Sequence, residues 1–172
     1  RSNCRLGEGL GEDGMLQVDR IQVALAAMAR FAGIMKAMGV TTIHAVATAA
    51  VRRARNAVEF TGPAEAIIGQ PIEVLSQDEE AHFVSQGLTL NIPEATGFVA
   101  DLGGGSLEVV KLERGVAQHS TSFNFGHLST VTADDLRNAF DSTPWLAGDS
   151  STRIFGVGGS FRALGLAYIE QT

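Results

Sequence analysis

The segment from Val99 to Val110, VADLGGGSLEVV, places three consecutive glycines between two runs that are typical of β-strands. The residues after Ser106 alternate with the period of a strand and not of a helix. Glycine-rich phosphate loops of the Walker and dinucleotide-binding types lead from a strand into a helix. The segment is therefore predicted to be a strand, a glycine turn and a second strand.

This glycine turn is predicted to bind an anion. Gly103, Gly104 and Gly105 can take a positive φ, which would turn successive N–H groups to one side, and Ser106 adds a hydroxyl donor. Asp101, at the end of the first strand, is expected to face the same hollow, where it can hold Mg²⁺. The alternative is a plain hairpin with a flexible turn, but an ordinary hairpin needs fewer glycines.

The composition limits the class of protein. A length of 172 residues suits one domain or two small lobes, and the net charge of −6 argues against general nucleic-acid binding by the whole surface. The single cysteine, Cys4, excludes an internal disulfide and fits a reducing compartment. No apolar run is long enough to span a bilayer and no signal peptide is visible, so we expect a cytoplasmic protein.

Hydrophobic periodicity divides the chain into two regions. Helices and strands alternate at first, which predicts a largely parallel α/β sheet with helices at 19–38, 49–60, 64–68 and 76–88 and strands at 41–47 and 71–75. Thr48 is expected to cap the second helix, and Gly62 and Pro63 to form the turn after it. After Pro93 an antiparallel meander is predicted at 96–102, 106–113 and 115–126. A helix at 133–140, a strand at 153–157 and a helix from about Ser160 follow. The predicted lobes are 1–93 and 94–172.

The segment DLGGGSLE at 101–108 is similar to the second phosphate loop of the actin-like, sugar-kinase and Hsp70 superfold. More narrowly, the chain resembles the exopolyphosphatase / guanosine pentaphosphate phosphohydrolase family. Four further segments support this in the family's order: CRLGEGL at 4–10, ATAAVRRARN at 47–56, IEVLSQDEEA at 72–81 and GVGGSFRALG at 156–165. The resemblance implies an α/β, actin-like (ribonuclease H-like) two-lobe fold that is incomplete in this chain.

The same resemblance implies a reaction and its partners. Family members use Mg²⁺ to remove terminal phosphate from inorganic polyphosphate or from guanosine pentaphosphate. Two alternatives stay open: a non-catalytic regulatory module that binds the alarmone or polyphosphate, and a relative of sugar or acetate kinases, which do not need the SQDEEA helix. We expect no nucleic-acid or membrane partner, and a homodimer is one assembly to test.

The SQDEEA segment contains two adjacent glutamates with different expected roles. Ser76 and Glu79 have the spacing of a capping box, which gives Glu79 a structural role. The resemblance implies that Glu80 is the base that activates water and that Glu80 and Asp101 hold the metal ion. The alternative for Glu80 is a first-turn acid that the helix dipole favours.

The resemblance assigns Arg52 and Glu108 to the catalytic residues, together with Glu80 and Asp101. Arg52 matches the arginine that contacts phosphate, and Glu108 matches an acidic residue near the metal, although a surface strand position is equally open for it. Gly158, Gly159 and Ser160 are expected to lie against phosphate, or alternatively to provide tight packing between a helix and a strand.

The histidines and the chain ends complete these expectations. His44, His82, His119 and His127 are scattered without metal-ligand spacing and are predicted to be core or surface residues. The family's first phosphate loop, similar to DxGSNS, would precede the first residue, and further helices would follow the last. The resemblance thus implies a chain truncated at both ends, with impaired hydrolysis by these 172 residues alone.

Overall fold

The computed structural model describes residues 2–10, 13–147 and 153–171. The chain forms two compact units, Arg1–Ser76 and Gln77–Thr172. This division differs from the boundary expected at 93/94, because the helix that follows Ser76 packs on strands of the second unit. Among the described helices, none has both the length and the apolar character needed to cross a membrane.

The first unit packs helices beside a short parallel sheet. Its described elements are α1 (Val18–Ala37), β1 (Ala45–Ala47), α2 (Ala49–Arg53), α3 (Ala57–Ile68) and β2 (Ile72–Val74). The predicted parallel pairing is confirmed, with Val46 opposite Glu73, although both strands are shorter than predicted. Its core is formed by Leu16, Ile21, Ala24, Val51, Phe60 and Ala64.

The helix predicted over 49–60 is wrong, because the structure divides this segment into α2 and α3. Asn56, at the start of α3, is buried and bonds to the backbone of Leu16. Its Oδ1 accepts from the Leu16 N–H at 2.8 Å and its Nδ2 donates to the Leu16 carbonyl at 3.1 Å. These hydrogen bonds between Asn56 and a distant segment thus interrupt the helix that the sequence predicts. Thr48 precedes α2 as expected, but its side chain makes no capping hydrogen bond.

The turn predicted at Gly62 and Pro63 is also wrong, because α3 continues through both residues to Ile68. A proline inside a helix costs about 3 kcal/mol or more, since it removes a hydrogen bond and crowds the preceding turn. Phe60, Ala64 and Ile68 recur every fourth residue and are all buried. The burial of this apolar stripe offsets the cost of the proline.

The second unit is built on a sheet with the strand order β5-β4-β3-β6. Its described elements are α4 (Gln77–Thr89), β3 (Gly97–Leu102), β4 (Leu107–Glu113), β5 (Val116–Phe123), α5 (Ala133–Asp141), α6 (Pro144–Ala147), β6 (Ile154–Val157) and α7 (Gly158–Gln171). The predicted antiparallel meander is confirmed by β3, β4 and β5. Strand β6 then pairs in parallel with β3.

Helix α4 covers one face of this sheet. Ala81 of α4 packs with Val99 of β3 and with Val110 and Leu112 of β4 in the core of the second unit. Successive side chains of a strand project to opposite faces, so residues two apart share a face. Asp101 and Glu108 therefore lie on the same face as this core, next to the residues that α4 covers.

Candidate functional site

A row of side chains crosses the sheet at the end of β3 where the glycine turn begins. Asp101 lies directly opposite Glu108 in the β3–β4 pair, and Glu108 lies opposite Ser122 of β5. Val157 of β6 is the partner of Asp101 on its other side. Residues directly opposite each other in an antiparallel pair are close neighbours on one face. The strand register therefore places two carboxylates side by side.

Glu108 is a carboxylate within the core, only 1% exposed. The Ser122 hydroxyl donates to its Oε1 at 3.0 Å, and the Ser106 hydroxyl provides a second hydrogen bond. Burial raises the pKa of Glu108, as do the charges of Glu80 and Asp101, whereas the two serine hydroxyls lower it. The net direction is upward. Glu108 is thus a core position and not a surface strand position.

Glu80 and Asp101 join Glu108 in one group of carboxylates. Burial raises the pKa of Asp101, and the negative charge of Glu80 raises it further. The charge of Glu80 acts on Glu108 as well. Glu80 reaches this position because it lies in the first turns of α4, whose following residue, Ala81, is anchored in the core. The structure therefore brings together three of the residues predicted to be catalytic, and their mutual repulsion favours a bound cation.

The glycine turn is held through its carbonyl groups by the segment 126–128. The His127 N–H donates to the Gly103 carbonyl and the Leu128 N–H to the Gly104 carbonyl, both at 3.0 Å. The imidazole Nδ1 of His127 lies 2.9 Å from the same Gly103 carbonyl. Because a carbonyl only accepts, this ring nitrogen carries the proton.

These contacts set the direction of the loop's N–H groups. In a trans peptide the carbonyl and the following N–H point in opposite directions, and the described residues contain no cis peptide. Because the carbonyls of Gly103 and Gly104 point at segment 126–128, the N–H groups of Gly104 and Gly105 point away from it. Within the described chain, the Gly104 N–H has no acceptor.

The predicted positive φ at the three glycines is wrong. None of Gly103, Gly104 and Gly105 has a positive φ. The N–H groups of Gly104 and Gly105 are directed by contacts from another segment and not by left-handed backbone, whereas the Gly103 N–H donates to the Ser106 carbonyl at 2.9 Å. Close approach requires a glycine at Gly126, where a Cβ would overlap the Gly104 carbonyl, whereas a Cβ on Gly103 or Gly104 would meet its nearest neighbour at an ordinary 3.4 Å.

The second predicted glycine segment begins α7 directly after β6. Gly158, Gly159 and Ser160 form the first turn of this helix, so no separate turn precedes it. A Cβ on Gly158, whose φ is +83°, would overlap the carboxylate of Asp101. The Ser160 hydroxyl donates to the carbonyl of Leu102 at 2.8 Å. This segment therefore packs tightly against the end of β3 that contains Asp101.

Two predicted phosphate contacts stay predictions. Ser106 is 3% exposed and its hydroxyl serves Glu108 in this structure. Arg52 belongs to the first unit, where its Nη1 donates to the Leu75 carbonyl at 2.6 Å and ties α2 to the end of β2. Ser122 and His127 were missed by the sequence analysis. The alternation of β4 and β5 could have indicated Ser122, but nothing local indicates the contact of His127 with the loop.

The carboxylate group suits a hydrated Mg²⁺ better than a fully protein-ligated metal. Among the described residues, no group of three or more His, Cys, Asp or Glu side chains could enclose a metal ion. Mg²⁺ usually keeps several waters and binds through one or two carboxylates together with substrate phosphates. The half-buried carboxylate of Asp101 offers oxygen donors that suit this cation, whereas Glu108 is 1% exposed and is bonded to Ser106 and Ser122.

Comparison with known proteins places these features in a family. The family model described as the Ppx/GppA phosphatase family matches residues 1–135. The chain belongs to the Ppx/GppA phosphatase family. A guanosine-5'-triphosphate,3'-diphosphate pyrophosphatase from Vibrio cholerae is 35% identical over 128 residues, which are 73% of this chain and 26% of that relative. The chain thus spans about a quarter of the length of this curated relative.

Solved structures of the Ppx/GppA family share the fold. An exopolyphosphatase from Cytophaga hutchinsonii aligns with a TM-score of 0.81 at 23% identity, over 96% of this chain and 60% of that chain. The Aquifex aeolicus PPX-GPPA enzyme aligns with a TM-score of 0.64 at 26% identity, over 90% of this chain and 56% of that chain. The predicted actin-like α/β fold is confirmed, and the chain contains part of it.

Glu108→Gln is expected to raise the melting temperature by a few degrees at pH 8 in EDTA. Glutamine keeps the shape of the side chain, and its oxygen can accept from the Ser122 hydroxyl while its NH₂ group can donate to a serine hydroxyl, but it buries no charge. Because the folded pKa of Glu108 lies above its ordinary value of 4.5, wild-type stability falls as the pH rises through that folded pKa. The advantage of the variant should therefore shrink as the pH approaches 4.5.

Thermal unfolding over a pH series, with the exposed Glu113→Gln on the same strand as the control, measures this effect. If the melting temperature of Glu108→Gln is at or below that of the wild type across the series, the buried carboxylate does not lower the stability of the wild type.

Proposed function

We propose that the protein hydrolyses terminal phosphoanhydride bonds and releases inorganic phosphate from polyphosphate or guanosine pentaphosphate. The observation that carries this proposal is the group of Glu80, Asp101 and Glu108 beside a glycine loop with aligned N–H groups. Membership in a phosphatase family and the names of the relatives, a guanosine pentaphosphate pyrophosphatase and an exopolyphosphatase, support the same reaction.

The glycine loop is proposed to bind the terminal phosphate. The Gly104 N–H points away from segment 126–128 and has no acceptor among the described residues, so it can donate to a phosphoryl oxygen. Backbone donors fixed before the substrate arrives lose little entropy on binding and stabilise the charge of the transferring group. Such donors recognise the phosphate and not the rest of the substrate, so they can bind either polyphosphate or guanosine pentaphosphate.

Asp101 is proposed to hold Mg²⁺, with Glu80 and Glu108 adding negative charge nearby. The cation would neutralise charge on the substrate phosphates, which is the main requirement of phosphoryl transfer. Buried Glu108, fixed by two serine hydroxyls, keeps Asp101 beside a second negative charge. These residues thus favour a cation without enclosing it.

Glu80 is proposed to act as the general base. It would take a proton from a water that attacks the terminal phosphorus, while the bond from that phosphorus to the bridging oxygen breaks. The shortened chain leaves through its bridging oxygen and inorganic phosphate is released. General base catalysis of this type contributes about 10²–10⁴-fold.

The test is phosphate release by the intact protein from long-chain polyphosphate and from guanosine pentaphosphate. We expect release from at least one of them with Mg²⁺ and none in EDTA, with guanosine tetraphosphate as the nucleotide product of the second substrate. The proposal would fail if neither substrate released phosphate while the folded protein still bound them.

A further inference from the structure

We propose that His127 is a positioning residue, whose imidazole fixes the direction in which the glycine loop presents its N–H groups to phosphate. This inference rests on the proposed function and adds to it a residue that makes no contact with the reacting atoms. The structure supports it through the convergence of two donors of His127, the backbone N–H at 3.0 Å and the imidazole Nδ1 at 2.9 Å, on the Gly103 carbonyl.

Two donors on one carbonyl restrict rotation of the peptide between Gly103 and Gly104. With a single donor, this peptide can rotate about its flanking bonds and still keep a bent hydrogen bond. Since the same peptide contains the Gly104 N–H, any rotation turns that donor away from a bound phosphate. Glycines on both sides of the peptide place few steric limits on such rotation, so the second donor matters more here than in an ordinary turn.

The segment that contains His127 is itself braced. The Ser129 N–H donates to the Gly126 carbonyl at 2.9 Å, and the Gly126 N–H donates to the Ser129 hydroxyl at 3.3 Å. The close approach of Gly126 to the Gly104 carbonyl fixes the spacing of the two loops. The His127 side chain is exposed, so it contributes little to the core, and its position is explained by the loop contact.

The experiment compares His127→Ala with His127→Asn in the intact protein. Asparagine can place an amide N–H donor near the position of Nδ1, whereas alanine cannot. His119→Ala is the matched control, because His119 is an exposed histidine of the same unit that stacks on Trp145.

Two readouts are expected to move together. With polyphosphate and Mg²⁺, His127→Ala should lower kcat/KM on the order of tenfold, mainly through KM, because the loop binds phosphate before and during the reaction. His127→Asn should recover most of this loss, and His119→Ala should match the wild type. In NMR titrations with tripolyphosphate, the change in the amide chemical shift of Gly104 should be smaller in His127→Ala than in the wild type and should be restored in His127→Asn.

Several outcomes would overturn the inference: a kcat/KM for His127→Ala within twofold of wild type, an asparagine variant as impaired as the alanine variant, or a loss confined to kcat. The NMR titration distinguishes a wrong role for His127 from a wrong proposal of hydrolysis. If the wild-type protein releases no phosphate but its amides shift on binding tripolyphosphate, the proposed hydrolysis is refuted. The comparison of the two His127 variants by NMR then decides whether His127 positions the loop. Wild-type protein without these shifts would refute the role of His127.

Discussion

Asp101→Asn is expected to lower Mg²⁺-dependent phosphate release by at least about a hundredfold while the protein stays folded. Asp101 lies between Glu108 and Val157 in the row that crosses the sheet, next to Gly158 and close enough to Glu80 for its pKa to be raised. Asparagine keeps the shape of the side chain but removes the charge that attracts the cation. Because burial already disfavours this charge, the substitution should not lower stability.

The measurement is phosphate release as a function of Mg²⁺ concentration, together with a melting curve in EDTA. Asp134→Asn provides the control, because Asp134 is an exposed acid of the same unit that pairs with Arg137. An Asp101→Asn variant with turnover within threefold of wild type and an unchanged Mg²⁺ dependence would remove Asp101 from the site.

Glu80→Gln is expected to lower kcat by about 10²–10⁴-fold, the contribution typical of a general base. Glutamine is close to glutamate in shape and helix propensity, so α4 should form and Ala81 should stay in the core. Glutamine cannot accept the proton of the attacking water, and binding of the substrate phosphates should be little affected. The loss should therefore appear in kcat and not in KM.

The adjacent Glu79→Gln is the matched control for this variant. Both substitutions remove one negative charge from the first turns of α4, and glutamine can still complete the capping box predicted for Ser76 and Glu79. We expect Glu79→Gln to retain nearly full activity, with similar melting temperatures for the two variants. Equal activity of the two would contradict the division of roles between these glutamates.

The sequence predicted the local structure around the candidate site most successfully where the residue pattern alone determines the geometry. Strand alternation on either side of the glycines predicted the hairpin, and the register that follows from it pairs Asp101 with Glu108. The position of Glu80 followed only from the family resemblance, because the packing of α4 on the sheet depends on residues distant in the chain. A helical pattern indicates which face is apolar, but not which strands this face will cover.

The sequence failed where distant contacts outweigh local preference. Gly62 and Pro63 are strong local signals for a turn, yet α3 continues through them because its apolar stripe is buried in the first unit. Conversely, the helix favoured over 49–60 is interrupted because Asn56 bonds to the backbone of Leu16. The burial of the apolar stripe and the hydrogen bonds of Asn56 both depend on residues distant in the chain, which local helix propensity does not take into account.

The sequence by itself determined that a strand, a glycine turn and a second strand place Asp101 at the start of the loop for which phosphate binding is proposed. Only the tertiary structure decided how that loop presents its donors. Glycine permits many backbone conformations and specifies none, so the direction of the Gly104 N–H depends on what holds the Gly103 carbonyl. That partner is His127, beyond β4 and β5 along the chain, and its contact with the loop exists only once the sheet has formed.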